Sequence, residues 1–101
     1  MPSFHKVAKT TDVKPGSAKV VEAGGRTIAL CNADGTFFAV DNTCLHRGGP
    51  LGEGFLDGKV LTCPWHGWQY NVSDGQCSTT PAAKLACFET KQEGDDVLVG
   101  V

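Results

Sequence analysis

Two short segments, Cys44-Leu45-His46 and Cys63-Pro64-Trp65-His66, constrain this chain more than anything else in it. Sixteen residues separate them, and together they hold two of the five cysteines and two of the three histidines. Each segment offers one thiolate and one imidazole at a spacing that lets both converge on one point, so two such segments on adjacent loops make a mixed sulfur and nitrogen metal site. Two ions suit that donor set. Zinc takes it in a tetrahedral structural site, and iron takes it in a cluster where histidine replaces two cysteines. The usual zinc order places two cysteines first and two histidines after. Here cysteine and histidine alternate, which suits a two-iron cluster with both cysteines on one iron and both histidines on the other. Zinc is the second reading.

These residues resemble the Rieske iron–sulfur family. Cys44-Leu45-His46 matches its first box, Cys63-Pro64-Trp65-His66-Gly67-Trp68 its second, and the run His46-Arg47-Gly48-Gly49-Pro50-Leu51 is common in its small bacterial members. The resemblance implies one [2Fe-2S] cluster per chain. Its inner iron would be held by Cys44 and Cys63, and its solvent-side iron by His46 and His66. It further implies an all-β fold: an antiparallel sandwich or barrel-like core carrying a small cluster-binding subdomain of two loops.

Length and composition agree with one such domain over residues 1–101, with the cluster-binding part inserted at about 42–82. One hundred and one residues lie near the commonest domain size. With 41% apolar and 20% charged residues and thirteen glycines, the chain reads as globular and turn-rich. The first ten residues are mixed and polar, and nowhere do eighteen apolar residues run together, so neither a secretory leader nor a membrane span is expected. A cytoplasmic carrier follows from this, as opposed to a membrane-anchored family member. Cys31, Cys77 and Cys87 are an odd set, which argues against a disulfide framework, and they read as buried thiols on strands.

In chain order the predicted elements are short strands with regular turns. Phe4 to Lys9 forms the first, before a turn at Lys14-Pro15-Gly16. Ala18 to Ala23 and Thr27 to Cys31 form a hairpin about Gly24-Gly25. A turn at Ala33 to Thr36 leads to Phe37 to Val40, which feeds the first ligand loop. Five glycines and Pro50 make a helix improbable between the ligand segments, where Phe55-Leu56 reads as the apolar anchor. Val60 to Thr62 delivers Cys63, Trp68 to Val72 leaves His66, and Ser73-Asp74-Gly75 turns the chain back. Ser78 to Ala83 connects to closing strands at Lys84 to Thr90 and Val97 to Val101. In the family a proline-bearing loop near this place covers the cluster, so the resemblance implies either that role for Pro81 or, equally, a proline in a plain loop.

Around the ligands, amides of Gly48 and Gly67 are placed to reach sulfur and raise the potential. In high-potential members a serine and a tyrosine hydroxyl follow the second histidine by two and four residues. This chain has Trp68 and Tyr70 there. Such members also carry a disulfide between the positions of Gly49 and Trp65, absent here. The resemblance therefore implies a potential toward the lower end of the family range of roughly −150 to +300 mV. Trp65 and Trp68 read as core or cover for the cluster ahead of a partner contact, His5 as a surface residue, and Arg47 equally as a docking charge or a plain solvated cation. Asn71-Val72-Ser73 matches a glycosylation acceptor by chance.

Charge is uneven: residues 1–33 carry +3 and residues 34–101 carry −5. An acidic cluster-bearing half disfavours nucleic acid and is compatible with a basic face on a redox partner. No Ser-His-acid set, phosphate-cradling loop or dinucleotide fingerprint is present, so the chain reads as a one-electron carrier and not an enzyme. The resemblance implies the ferredoxin of an aromatic-ring oxygenase system, between a flavin-dependent reductase and a terminal oxygenase. The small Rieske-type subunit of an assimilatory nitrite reductase is the alternative. The length argues against a complete oxygenase, whose mononuclear iron domain needs roughly 200 further residues.

Overall fold

The computed structural model describes residues 3–44, 49–65, 67–78 and 84–101. Nine strands make up two antiparallel sheets: β1 (Phe4–Lys9), β2 (Ser17–Ala23), β3 (Arg26–Ala33), β4 (Thr36–Asp41), β5 (Phe55–Asp57), β6 (Val60–Thr62), β7 (Gln69–Asn71), β8 (Cys87–Glu93) and β9 (Asp96–Gly100). Six of them form a nearly closed, barrel-like sheet in the order β1-β9-β8-β4-β3-β2, with β1 and β2 approaching each other at its ends. The remaining three form a small sheet in the order β5-β6-β7.

Local chemistry explains the large sheet. Gly24 and Gly25 both take positive φ between paired Ala23 and Arg26, the twist that a two-residue hairpin needs. Asp34 (φ 53) and Gly35 repeat the device between β3 and β4. Gln92 pairs with Val97 across the Gly94 turn, so β8 and β9 close as a hairpin.

Strands β3 and β4 separate two cores because both of their faces are buried. Ile28, Leu30, Phe37 and Ala39 point one way, and pack with Val21, Val97 and Val99 inside the barrel. Ala29, Cys31 and Val40 point the other way, and pack with Cys44, Leu51, Leu61, Cys63, Tyr70 and Val72. Side-chain alternation along a strand produces this division. The second core lies under the small sheet, so Cys44 and Cys63 rest on the outer face of the barrel.

Several expectations are corrected. The stretch between the ligand segments holds a short 3-10 turn, Leu51–Glu53, and strand β5. Its apolar anchor is Leu51, fully buried, whereas Phe55 is 73% exposed. The reason is pairing: Phe55 sits opposite Thr62 on the outer face of the small sheet, while Leu56 sits opposite buried Leu61 on the inner one. Cys31 and Cys77 are buried, but Cys87 on β8 is exposed. His5 is half-buried, its ring against the Gly24 turn. The strand expected from Trp68 to Val72 is confined to β7, and the one expected from Lys84 starts at Cys87, because Gln76 and Lys84 form only an isolated bridge. Pro81 and its expected cover lie outside the described residues.

Candidate metal centre

Each expected cysteine ligand stands at the foot of a loop that the backbone closes. After β4, the Asp41 carboxylate accepts from the Thr43 amide at 2.9 Å, and Thr43 bridges Pro50. The Cys44 amide then donates to the Gly49 carbonyl at 3.0 Å. Buried Asn42 fastens this foot to the next turn: its side-chain oxygen accepts from the Gly52 amide at 2.7 Å, and its carbonyl from Leu51 at 2.8 Å. Gly52 has to lack a side chain, since a Cβ there would lie 2.6 Å from Val20 Cγ2. Sequence reasoning missed Asn42 and Leu51. An Asn ahead of a glycine-rich loop, whose amide readily satisfies loop N–H groups, was the available signal.

The second loop links β6 to β7. Cys63 donates its amide to the Trp68 carbonyl at 2.8 Å, next to the pairing of Thr62 with Gln69. Gly67 takes φ +75 in the turn, a conformation a side chain would strain. The Trp65 amide approaches Cys63 Sγ at 3.4 Å. Trp68 is half-buried against the site core, and Trp65 is 49% exposed.

These two feet bring the thiols together. Cys44 and Cys63 are both buried, are not disulfide-linked, and lie within hydrogen-bonding reach of each other. Burial pushes the Cys63 thiol above its ordinary value; the Trp65 N–H opposes this and the neighbouring Cys44 adds to it. Fully buried Tyr70 on β7 places its hydroxyl 3.3 Å from Cys44 Sγ. His46 and His66, with Arg47 and Gly48, lie outside the described residues.

This arrangement fits a metal-borne group at the cysteines. Two thiols side by side in a dry setting resist ionisation unless a cation compensates them, and a coordinated metal deprotonates a thiol outright. Cys31 differs. It shares the same core from β3, but burial pushes its thiol up to about 12. Cys87, exposed beside Lys84 and Asp74, pairs with Val40 on β4.

Comparison with known proteins places this geometry. Residues 3–89 match the Rieske [2Fe-2S] domain family. The ferredoxin component of biphenyl 2,3-dioxygenase from Rhodococcus jostii (strain RHA1) is 39% identical over 98 residues, covering 96% of this chain and 92% of that protein. Ferredoxin CarAc from Metapseudomonas resinovorans is 34% identical, covering 93% of this chain and 90% of that one. Among solved structures, a complex of reduced oxygenase and oxidised ferredoxin in carbazole 1,9a-dioxygenase superposes with a TM-score of 0.87 at 33% identity, over 96% of this chain and 92% of the matched one.

Proposed function

The chain belongs to the Rieske [2Fe-2S] domain family, and on that premise we propose that Cys44, His46, Cys63 and His66 hold its cluster, the cysteines at the inner iron and the histidines at the solvent-side iron. The bound cluster supplies a centre that accepts and gives up one electron at a time. The observation that carries the assignment is the pair of buried, unlinked thiols delivered side by side by the feet of two loops.

The protein is an electron carrier, as its ferredoxin relatives are. It passes electrons to the terminal oxygenase of a ring-hydroxylating system, the class in which a ferredoxin is seen on its oxygenase. Identity to ferredoxin components supports this reading over a nitrite reductase subunit. Among the described residues no helix is long and apolar enough to cross a membrane. A flavin-dependent reductase as electron source, a cytoplasmic location, and a cluster-holding unit of about residues 42–82 within one domain belong to the same proposal.

The chain's own residues do the positioning. Strands β6 and β7 fix Cys63, β4 and Asn42 fix Cys44, and the Tyr70 hydroxyl lies 3.3 Å from the Cys44 sulfur, where toward a metal-bound thiolate it would donate and favour the more negative reduced state. Such rigid support keeps geometry constant between redox states.

The experiment mixes reduced protein with the oxidised terminal oxygenase of a biphenyl system and follows the visible spectrum. Rapid reoxidation of the carrier is expected; a loaded protein that stays reduced contradicts the role. Histidine ligation has its own test. Imidazoles on an oxidised centre lose protons more readily, so alkali favours oxidation and the potential should fall as pH rises past those pKa values. A potential flat to strongly alkaline pH contradicts His46 and His66.

A further inference from the structure

We infer that Trp65 and Gly49 form an apolar brace across the two ligand loops, one that shields the Cys63 sulfur from water and holds the reduction potential down. The inference rests on the reading of Cys44 and Cys63 as cluster ligands.

Contacts at the two thiols are reciprocal. Cys44 belongs to the first loop, yet the hydroxyl 3.3 Å from its sulfur comes from Tyr70, on the strand leaving the second loop. Cys63 belongs to the second loop, yet Gly49, whose carbonyl closes the first, packs on its sulfur. A Cβ at position 49 would lie 2.8 Å from Cys63 Sγ and 3.1 Å from both Cγ and Cδ2 of Trp65. Ordinary carbon contacts need about 3.5–4.0 Å. No side chain larger than hydrogen fits there, so the indole lies directly on the glycine backbone and beside the sulfur.

The two cross-contacts differ in chemistry. Tyr70 presents a hydroxyl to Cys44, whereas Trp65 presents ring carbons to Gly49 while its backbone amide faces Cys63 Sγ. Adding an electron makes the site more negative, and dry surroundings disfavour added charge. An indole in place of water beside Cys63 therefore works against reduction, opposite in sign to the Tyr70 hydroxyl. With 49% of its surface exposed, Trp65 is a lid on the sulfur and not a member of the core. It is a positioning residue, separate from the ligands.

The test compares the loaded parent with W65F, W65L and W65A by redox titration, by deuteron coupling to the reduced cluster after exchange into D2O, and by the rate of iron loss to a chelator. W65F keeps a ring on Gly49 and should stay near the parent in all three. W65A should shift to a more positive potential, show stronger deuteron coupling and lose iron several-fold faster, with W65L between. A loaded W65A with the parent's potential and deuteron coupling overturns the brace. Should W65A not retain the cluster, W65L decides: values equal to the parent's overturn the brace, and a positive shift with stronger coupling supports it. A parent chain that binds no iron–sulfur group contradicts the ligand reading and removes the brace with it; an unmoved W65A in a loaded background removes the brace alone.

Discussion

The two faces of the β3–β4 ribbon hold cores of opposite character. Inside the barrel, Ile28, Leu30, Phe37, Val97 and Val99 pack as hydrocarbon alone, and their burial stabilises the fold whatever is bound. Outside it, Leu51, Leu61 and Val72 share their core with the Cys44 and Cys63 thiols and a tyrosine hydroxyl. Among the described residues, the strands that cover that second core are three residues long each. One face is a scaffold, and the order of the other is expected to depend on what it binds. A protein can thus vary its metal centre without rebuilding the domain.

The largest expected effect separates the two faces outright. Cys63→Ala, or removal of iron by acid and chelator, should abolish the visible spectrum. Amide exchange should then quicken across β5, β6 and β7 while β3 and β9 stay protected, because metal binding and local folding are coupled. Equal loss of protection in both sheets breaks the comparison.

Next come cavities. Leu30→Ala in the barrel and Leu51→Ala under the site should each cost about 2–5 kcal/mol in denaturant unfolding, since both side chains are fully buried. Only the second should hasten iron loss. A potential shift from Leu30→Ala would show that the faces communicate.

The third effect concerns Cys31, which faces the site from β3 without serving it. Its thiol is raised from 9.0 to about 12 by burial, so the folded chain keeps a proton that the unfolded chain releases. Stability from this group is complete below pH 9 and falls as pH rises toward 12, by about 1.4 kcal/mol per pH unit at most. Cys31→Ala should flatten that alkaline slope in unfolding titrations; an unchanged slope assigns it elsewhere.

Tyr70→Phe should be smallest. Loss of one hydroxyl beside Cys44 costs about 1 kcal/mol of stability and should lower the potential, the reverse of the shift expected for Trp65→Ala.

How far the sequence could be read follows the same division. Hairpins about Gly24-Gly25 and Asp34-Gly35 were legible because positive φ has a residue signature. That Cys44 and Cys63 would come together was legible because metal-binding residue types are scarce and their spacing specific. Tyr70 was legible as a retained donor near sulfur. Burial on both faces of β3 was not, since a run such as Ile28 to Cys31 looks the same whether one core or two receive it. Of the expected Phe55-Leu56 anchor only Leu56 faces the core, because register within a three-residue strand depends on its partner and a shift of one residue reverses every side chain. Exposure of Cys87 depends likewise on where β8 joins β4, through only two residue pairs.

The most direct test of the central claim is the visible spectrum of freshly purified protein, with iron and acid-labile sulfide assayed on the same sample and the spectrum repeated after dithionite. The account expects a red-brown protein that bleaches on reduction and holds about two irons and two sulfides per chain. A colourless protein holding a single zinc would contradict it, leaving the same four residues as a structural site with no electron to carry.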